Sequence, residues 1–288
     1  MPVGPAVCDV DWSLLGWRSG LVLPEVLTLA SALQSLRLRL GLEGNRRPVE
    51  SFSLPSLGRA LLVFAHMDDE INAVGLVSRL RAAGVELDLV VLTDGAANPW
   101  TDARVVGTRS HFECRRDELL EATKLLGVNE PVLPGLPDSK LASHLDEAAA
   151  VVQRVLEQRS PGLVITFDPK GVNGHPDHMA AHEVTRRALA RSNHDAALAM
   201  LLPPPPFSFV LGAGFRSESA PAVATLGLTD DELELKARVF DGYRSQQKTL
   251  KLLTAGLSPR TFFKLFRAEW YLWLGVEQAR GWVNSPPR

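Results

Sequence analysis

The chain has 288 residues and a mass of 31.4 kDa, enough for one large domain or two modest ones. Its 45% hydrophobic and 22% charged residues describe an ordinary globular protein and exclude disordered, collagen-like and coiled-coil chains. With 31 Lys and Arg against 33 Asp and Glu, the net charge is −2, which provides no broad attraction for nucleic acid.

In chain order, Cys8 and Cys114 are the only cysteines. They are too few for a disulfide framework and form no CxxC pair, so a reducing, cytoplasmic location is expected. No basic segment followed by an apolar core and a cleavage site opens the chain, so no signal peptide is read. The apolar stretch Leu21 to Leu40 is broken by Pro24, Glu25, Gln34, Arg37 and Arg39. A spanning helix needs about 20 mostly apolar residues, so no transmembrane segment is expected. The stretch reads as an amphipathic helix lying on the protein itself, with a membrane-surface helix as the second reading. Residues 1–58 are expected to be a helical N-terminal extension packed on the core, and 59–288 a single domain.

Short apolar runs then alternate with segments of helical period. Leu61 to Ala65, Leu87 to Thr93, Pro131 to Leu133 and Leu163 to Phe167 read as strands. Asn72 to Ala83, Ser110 to Leu126, Ser143 to Arg159 and His178 to Arg191 read as helices, the first two stopped by Gly84 and Gly127. Beyond the breaker Pro203-Pro204-Pro205-Pro206, Ala222 to Leu226 reads as a strand, and Thr229-Asp230-Asp231-Glu232 has the capping-box pattern of a helix start. Strands apolar on both faces and separated by helices imply an α/β fold, a mostly parallel sheet with helices on both faces. The aromatic tail Phe262, Phe263, Phe266, Trp270, Tyr271 and Trp273 reads as a core-docking segment. A sugar-stacking or lipid-facing surface is its second reading, with Glu269 as a candidate sugar contact.

Ligands bind such sheets beyond the carboxyl ends of the strands. The first strand runs into His66-Met67-Asp68-Asp69-Glu70, and the strand ending at Phe167 leads to Gly174-His175-Pro176-Asp177-His178. Either motif alone could be structural, a helix cap or a turn. Together, at two strand ends, they hold three of the seven histidines. His66 and Asp69, three apart at a strand-to-helix turn, can meet His178 from the neighbouring loop as the three protein ligands of a catalytic zinc site. Asp68 and His175 then stand beside the metal. A free carboxylate there can take a proton from water, and a histidine can stabilise an oxyanion or protonate a leaving amine. That is the division of labour of a metal-dependent amide hydrolase. His144, His182 and His194 read as surface or core residues, and His111 stands at a helix start after the second strand.

These residues carry a resemblance. Ala65-His66-Met67-Asp68-Asp69-Glu70 and Gly174-His175-Pro176-Asp177-His178 resemble the two signatures of the PIG-L/LmbE-like zinc-dependent N-deacetylases. Leu92-Thr93-Asp94-Gly95, Arg115-Arg116-Asp117-Glu118, Leu126-Gly127, Gly135-Leu136-Pro137-Asp138 and Tyr243-Arg244-Ser245-Gln246 extend it over residues 59 to 247. The resemblance implies a Rossmann-like fold, with Zn²⁺ (or another divalent transition metal such as Fe²⁺) on His66, Asp69 and His178. It makes Asp68 the general base and His175 the stabiliser of the tetrahedral intermediate, as imidazolium, with Asp177 holding its orientation. It puts Arg115 and Asp138 on an N-acetylated amino-sugar substrate, N-acetylglucosamine-containing. Met67 replaces the usual proline. Asn173, where some members carry a tyrosine, is assigned to the substrate side with no tyrosine role. Rival readings are a zinc amidase cleaving a thiol-sugar conjugate and a non-catalytic sugar-binding protein on the same fold. A dinucleotide-binding oxidoreductase lacks its Gly-x-Gly-x-x-Gly turn. A homo-oligomer is compatible with all of these.

Overall fold

The computed structural model describes residues 46–48, 54–192, 194–203, 222–254 and 256–284. The Leu21 to Leu40 stretch, Cys8, most of the 1–58 extension and Pro204 to Pro206 lie outside them. Seven strands make one sheet: β1 (Arg46–Pro48), β2 (Arg59–Phe64), β3 (Glu86–Val91), β4 (Leu163–Phe167), β5 (Ala197–Leu202), β6 (Ala222–Gly227) and β7 (Ala268–Leu274). Their spatial order is β1-β6-β7-β5-β4-β2-β3. All neighbours pair in parallel except β7, which is antiparallel to both β5 and β6. Arg46–Pro48, within the expected extension, is thus an edge strand of the main sheet.

The central strands are buried on both faces. Ala60 to Phe64 and Leu163 to Ile165 are fully inaccessible, as expected of parallel strands under two helical layers. Helices Leu145–Arg159, Pro176–Arg191 and Val276–Val283 pack together on one side, and Val74–Ala82, His111–Leu126 and Asp230–Gly242 group on the other. Capping boxes open two of them, Ser110 with Glu113 and Thr229 with Glu232, the second at the position its sequence pattern indicates.

Three features of the sheet have physical causes. Pro131 to Leu133 forms no full strand. Val132 and Leu136 make only isolated bridges to Val90 and Thr93, because Pro131, Pro134 and Pro137 remove the N–H groups a ladder needs. Ala197–Leu202, a run of strong helix formers, becomes a strand because it fills the slot between β4 and β7. The aromatic tail supplies β7 inside the sheet, with Trp270, Tyr271 and Trp273 at most 5% exposed, so core docking is what these residues do.

Glu269, on β7, belongs to that core. Only 3% exposed, it accepts the Gly75 and Leu76 N–H groups at 2.9 and 3.1 Å, Lys236 Nζ at 2.7 Å and the Tyr271 hydroxyl at 2.7 Å. The carboxylate therefore caps the first turn of Val74–Ala82, where the helix dipole favours negative charge, and it does not reach toward a sugar. Glu269→Ala should lower unfolding free energy by about 3–5 kcal/mol, because it strands a buried Lys236 charge. Denaturant titration measures this.

Candidate active site

From β2 to β3 the chain moves to one side, then crosses back to place β4 on the other side of β2. The carboxyl ends of β2 and β4 therefore flank the switch point of the sheet, where loops diverge and leave a crevice. His66 follows β2 directly, and Asp69 opens a short 3-10 turn, Asp69–Ala73, that leads into Val74–Ala82. On the β4 side, His175 is the N-cap and Pro176 the first residue of Pro176–Arg191. Proline is favoured there because its missing N–H would be unpaired anyway. That start places His178 one turn into the helix, facing the crevice.

The Asp69 carboxylate lies between the two imidazoles. Its Oδ2 accepts the His66 backbone N–H at 2.7 Å and stands 3.6 Å from His66 Nδ1, while Oδ1 is 3.2 Å from His178 Nε2. Each imidazole turns its other nitrogen to oxygen. His178 Nδ1 donates to the Gly171 carbonyl at 3.1 Å, and its ring stacks on Phe167 with centroids 4.1 Å apart. His66 Nε2 is 3.3 Å from both Asp138 Oδ1 and Asp177 Oδ2. Gly171 has φ +63°, and a Cβ there would sit 2.8 Å from the His178 Cβ, so only glycine lets the loop come this close. His66 and His178 thus each bring a ring nitrogen to a different oxygen of the Asp69 carboxylate. Oxygen on the second nitrogen of each histidine is the outer support that fixes ligand tautomers in metal sites. Three nearly buried carboxylates around one imidazole also leave an excess of negative charge that a divalent cation would offset. Among the described residues, the donor groups whose ligand atoms all lie within 4.8 Å of one another are His66 with His175 and His178, and His66 with Asp138 and Asp177. Asp69 contacts both His66 and His178 without completing either group, and imidazole and carboxylate donors of this kind fit a divalent transition metal.

Asp68 sits beside this cluster in an unusual backbone state, φ 121°. A non-glycine residue there costs of order 1–3 kcal/mol and requires the surroundings to hold it. Its Oδ2 lies 3.2 Å from Arg115 Nη2. Burial pushes the Asp68 carboxyl up to about 6, against the opposing pull of Arg115, close to where a general base works best. Arg115, expected on the substrate, is only 2% exposed. Its Nη groups donate to the carbonyls of Gly95, at 3.0 Å, and Met67, so it lies beneath Asp68 rather than in the crevice. Met67, in the family's proline position, is fully buried.

The Asp177 carboxylate does not hold His175. It accepts the N–H groups of Ser139 and Leu141 at 2.6 and 3.1 Å, besides facing His66. The backbone N–H of Asp177 is what donates to His175 Nδ1, at 3.2 Å. With Nδ1 accepting, the ring proton is on Nε2. Burial and the neighbouring His66 and His178 imidazoles lower the His175 pKa to about 4. This arrangement favours a neutral imidazole with its proton on Nε2, in contrast to the imidazolium that the resemblance implies. Asp138 joins the rim, accepting the Ala97 N–H at 2.9 Å. Asn173 is exposed, and its Oδ1 accepts the His175 N–H at 3.1 Å, shaping the turn before the helix. His182 donates to the Phe167 carbonyl at 2.8 Å from a buried position. His194 is 2.6 Å from the Pro161 carbonyl, His144 is 3.1 Å from Glu147, and His111 is 3.4 Å from the Ala96 carbonyl. None of these four joins the cluster.

Residues 61–189 match the profile of a family described as GlcNAc-PI de-N-acetylase, PIG-L. The chain is 31% identical over 161 residues to a 1D-myo-inositol 2-acetamido-2-deoxy-alpha-D-glucopyranoside deacetylase of Mycobacteroides abscessus, covering 48% of this chain and 58% of that protein. A protein of the same description from Streptomyces griseus is 35% identical over 153 residues, covering 45% and 48%. The chain thus spans about half the length of the curated relatives it matches. Among solved structures, a deacetylase of the teicoplanin biosynthesis pathway aligns with TM-score 0.59 and 17% identity over 75% of this chain and 97% of that one. The N,N'-diacetylchitobiose deacetylase of Pyrococcus horikoshii aligns with TM-score 0.58 and 18% identity over 83% and 92%. At such identities these likenesses establish the fold.

Asp177→Ala removes one support of His66 and two loop anchors. It should weaken metal affinity about 10- to 100-fold, measured by competition with a chromogenic chelator.

Proposed function

We propose that this chain, whose residues 61–189 match the PIG-L family profile, is a metal-dependent N-deacetylase that removes the acetyl group from an N-acetylglucosamine-containing small molecule. The observation that carries the reading is the Asp69 carboxylate between His66 and His178, with Asp68 and His175 on the same crevice. A mere sugar binder would need neither the paired histidines nor the strained acid beside them.

A divalent ion such as Zn²⁺ on His66, Asp69 and His178 would polarise the amide carbonyl and bring the pKa of water from 15.7 toward about 7. Asp68, ionised above about pH 6, accepts a proton from the attacking water. His175, with its proton on Nε2, donates a hydrogen bond to the oxyanion as it develops, and its neutrality spares the site an extra buried charge. When the C–N bond breaks, the proton held by Asp68 passes to the departing nitrogen. The proton of the new acetic acid passes to the amine or to solvent, acetate and the amino sugar leave, and Asp68 is again ionised. Asp138 and the loop Asp94 to Asn98, joined by the Ala97-to-Asp138 bond, border the crevice where a sugar ring would lie.

Two results test this. The metal-loaded protein should release acetate from N-acetylglucosaminyl compounds, including 1-O-glycosides of inositol, in preference to cleaving bulky thiol-sugar amides; the opposite preference would favour the amidase. Asp68→Ala should retain its metal and lose about 10²–10⁴-fold in turnover. An Asp68→Ala protein that keeps both metal and rate would remove Asp68 from the mechanism.

A further inference from the structure

Glu70 directly follows the ligand candidate Asp69 and is 1% exposed, yet it touches neither histidine. Its Oε2 accepts the backbone N–H of Asp68 at 3.1 Å, and its Oε1 accepts the hydroxyl of Tyr243. The Asp68 N–H belongs to the Met67–Asp68 peptide, whose carbonyl accepts from Arg115 Nη2. Both polar ends of one peptide group are therefore held by buried side chains, at the residue whose φ of 121° an L side chain rarely adopts. Turning that peptide toward an ordinary φ would break both bonds at once and leave buried groups unpaired.

Tyr243 is itself fully buried and belongs to a short element locked onto the same framework. Ser245, two residues on, donates its N–H and its hydroxyl to Glu118, both at 2.7 Å. Glu118 lies on His111–Leu126, the helix that carries Arg115. The Met67–Asp68 peptide is thus gripped from one side by that helix and from the other by Glu70, with Tyr243 tying Glu70 back to the helix. Tyr243 lies outside residues 61–189, the segment that matches the family profile.

We infer that Glu70 and Tyr243 are a positioning pair that keeps Asp68 in its left-handed backbone state and so aims its carboxylate into the crevice, making the segment around Tyr243 part of the active-site framework. The inference rests on the reading of Asp68 as the proton acceptor. Neither residue touches substrate; both act through the Met67–Asp68 peptide. A carboxylate turned with that peptide would still be present and ionisable but would miss the water it must deprotonate. Such a loss falls on turnover and spares substrate binding.

The experiment compares full-length, metal-loaded wild type with Tyr243→Phe, Glu70→Ala and Glu70→Gln, measuring kcat, KM, metal content and melting temperature, and solves crystal structures of the variants. Tyr243→Phe and Glu70→Ala should each lower kcat by about 10- to 100-fold at nearly unchanged KM, the scale of a displaced catalytic group, with the full metal complement retained. Glu70→Gln keeps an acceptor for the Asp68 N–H and a partner for the Tyr243 hydroxyl, so it should restore most of kcat. In Tyr243→Phe and Glu70→Ala crystals the Met67–Asp68 peptide should turn or split into two conformers. A lowered melting temperature with wild-type kcat would mean that the pair only stabilises the fold, and a rate that falls in proportion to metal content would mean that it acts through Asp69. Either result overturns the inference, as does an Asp68 backbone unchanged in the variants. Should Glu70→Ala fail to fold, Tyr243→Phe against Glu70→Gln decides by the same measures. If wild type releases no acetate from any substrate, the deacetylase reading fails, and the crystallographic comparison alone decides the clamp.

Discussion

The parallel pairing of β2 with β4, Ala60 to Leu62 beside Leu163 to Ile165, is the constraint from which the site follows. Two strands far apart in sequence run side by side in one direction, so the loops that leave them open at the same edge. There Asp69 finds His66 in the same loop after β2 and His178 at the start of the helix that follows β4, and one carboxylate faces both rings. Take away the pairing, and each motif is a capped turn with no chemistry of its own. Antiparallel pairing would send the second loop to the opposite edge of the sheet.

Around that meeting point the protein concentrates buried charge, and each charge has an assigned counterpart. His66 is drawn well above its ordinary pKa: burial opposes charging, but Asp138, Asp177 and Asp69 outweigh it. Burial likewise works against Asp69, yet His178 and His66 hold it well below the usual carboxylate range. A cation entering between them would take over part of this compensation, which is why the same residues that satisfy one another are a fitting ligand set. Glu70 differs from them. Burial pushes its carboxyl up to about 8, and it serves the backbone of Asp68 instead of the cluster.

The second half of the chain frames what the first half carries. β7 enters the middle of the sheet against the direction of its neighbours and delivers Glu269 to the start of Val74–Ala82, the helix that continues from the Asp68-Asp69 turn. The short element after Gly242 delivers Tyr243 to Glu70 and Ser245 to Glu118. The residues proposed to act on substrate come from two short motifs, while the residues that hold them rigid come from distant parts of the chain.

Periodicity and punctuation in the amino-acid sequence determined the alternation of strands and helices, the capping box at Thr229, and the two histidine motifs at strand ends. Each of these is decided by residues within a few positions of one another. Ala197–Leu202 is an apolar run of helix-forming residues to which no local pattern assigned an element, and its place between β4 and β7 made it a strand. The same limit governs the site. The residue types at His66, Asp68, Asp69, His175 and His178 could be read locally. That Arg115 lies under Asp68, that the Asp177 carboxylate turns to His66 instead of His175, and that Tyr243 reaches Glu70 depended on which side chains meet across the fold. Such contacts join residues up to 173 positions apart. A local pattern has no term for them, because they exist only once the sheet has closed and water has been driven from between its layers.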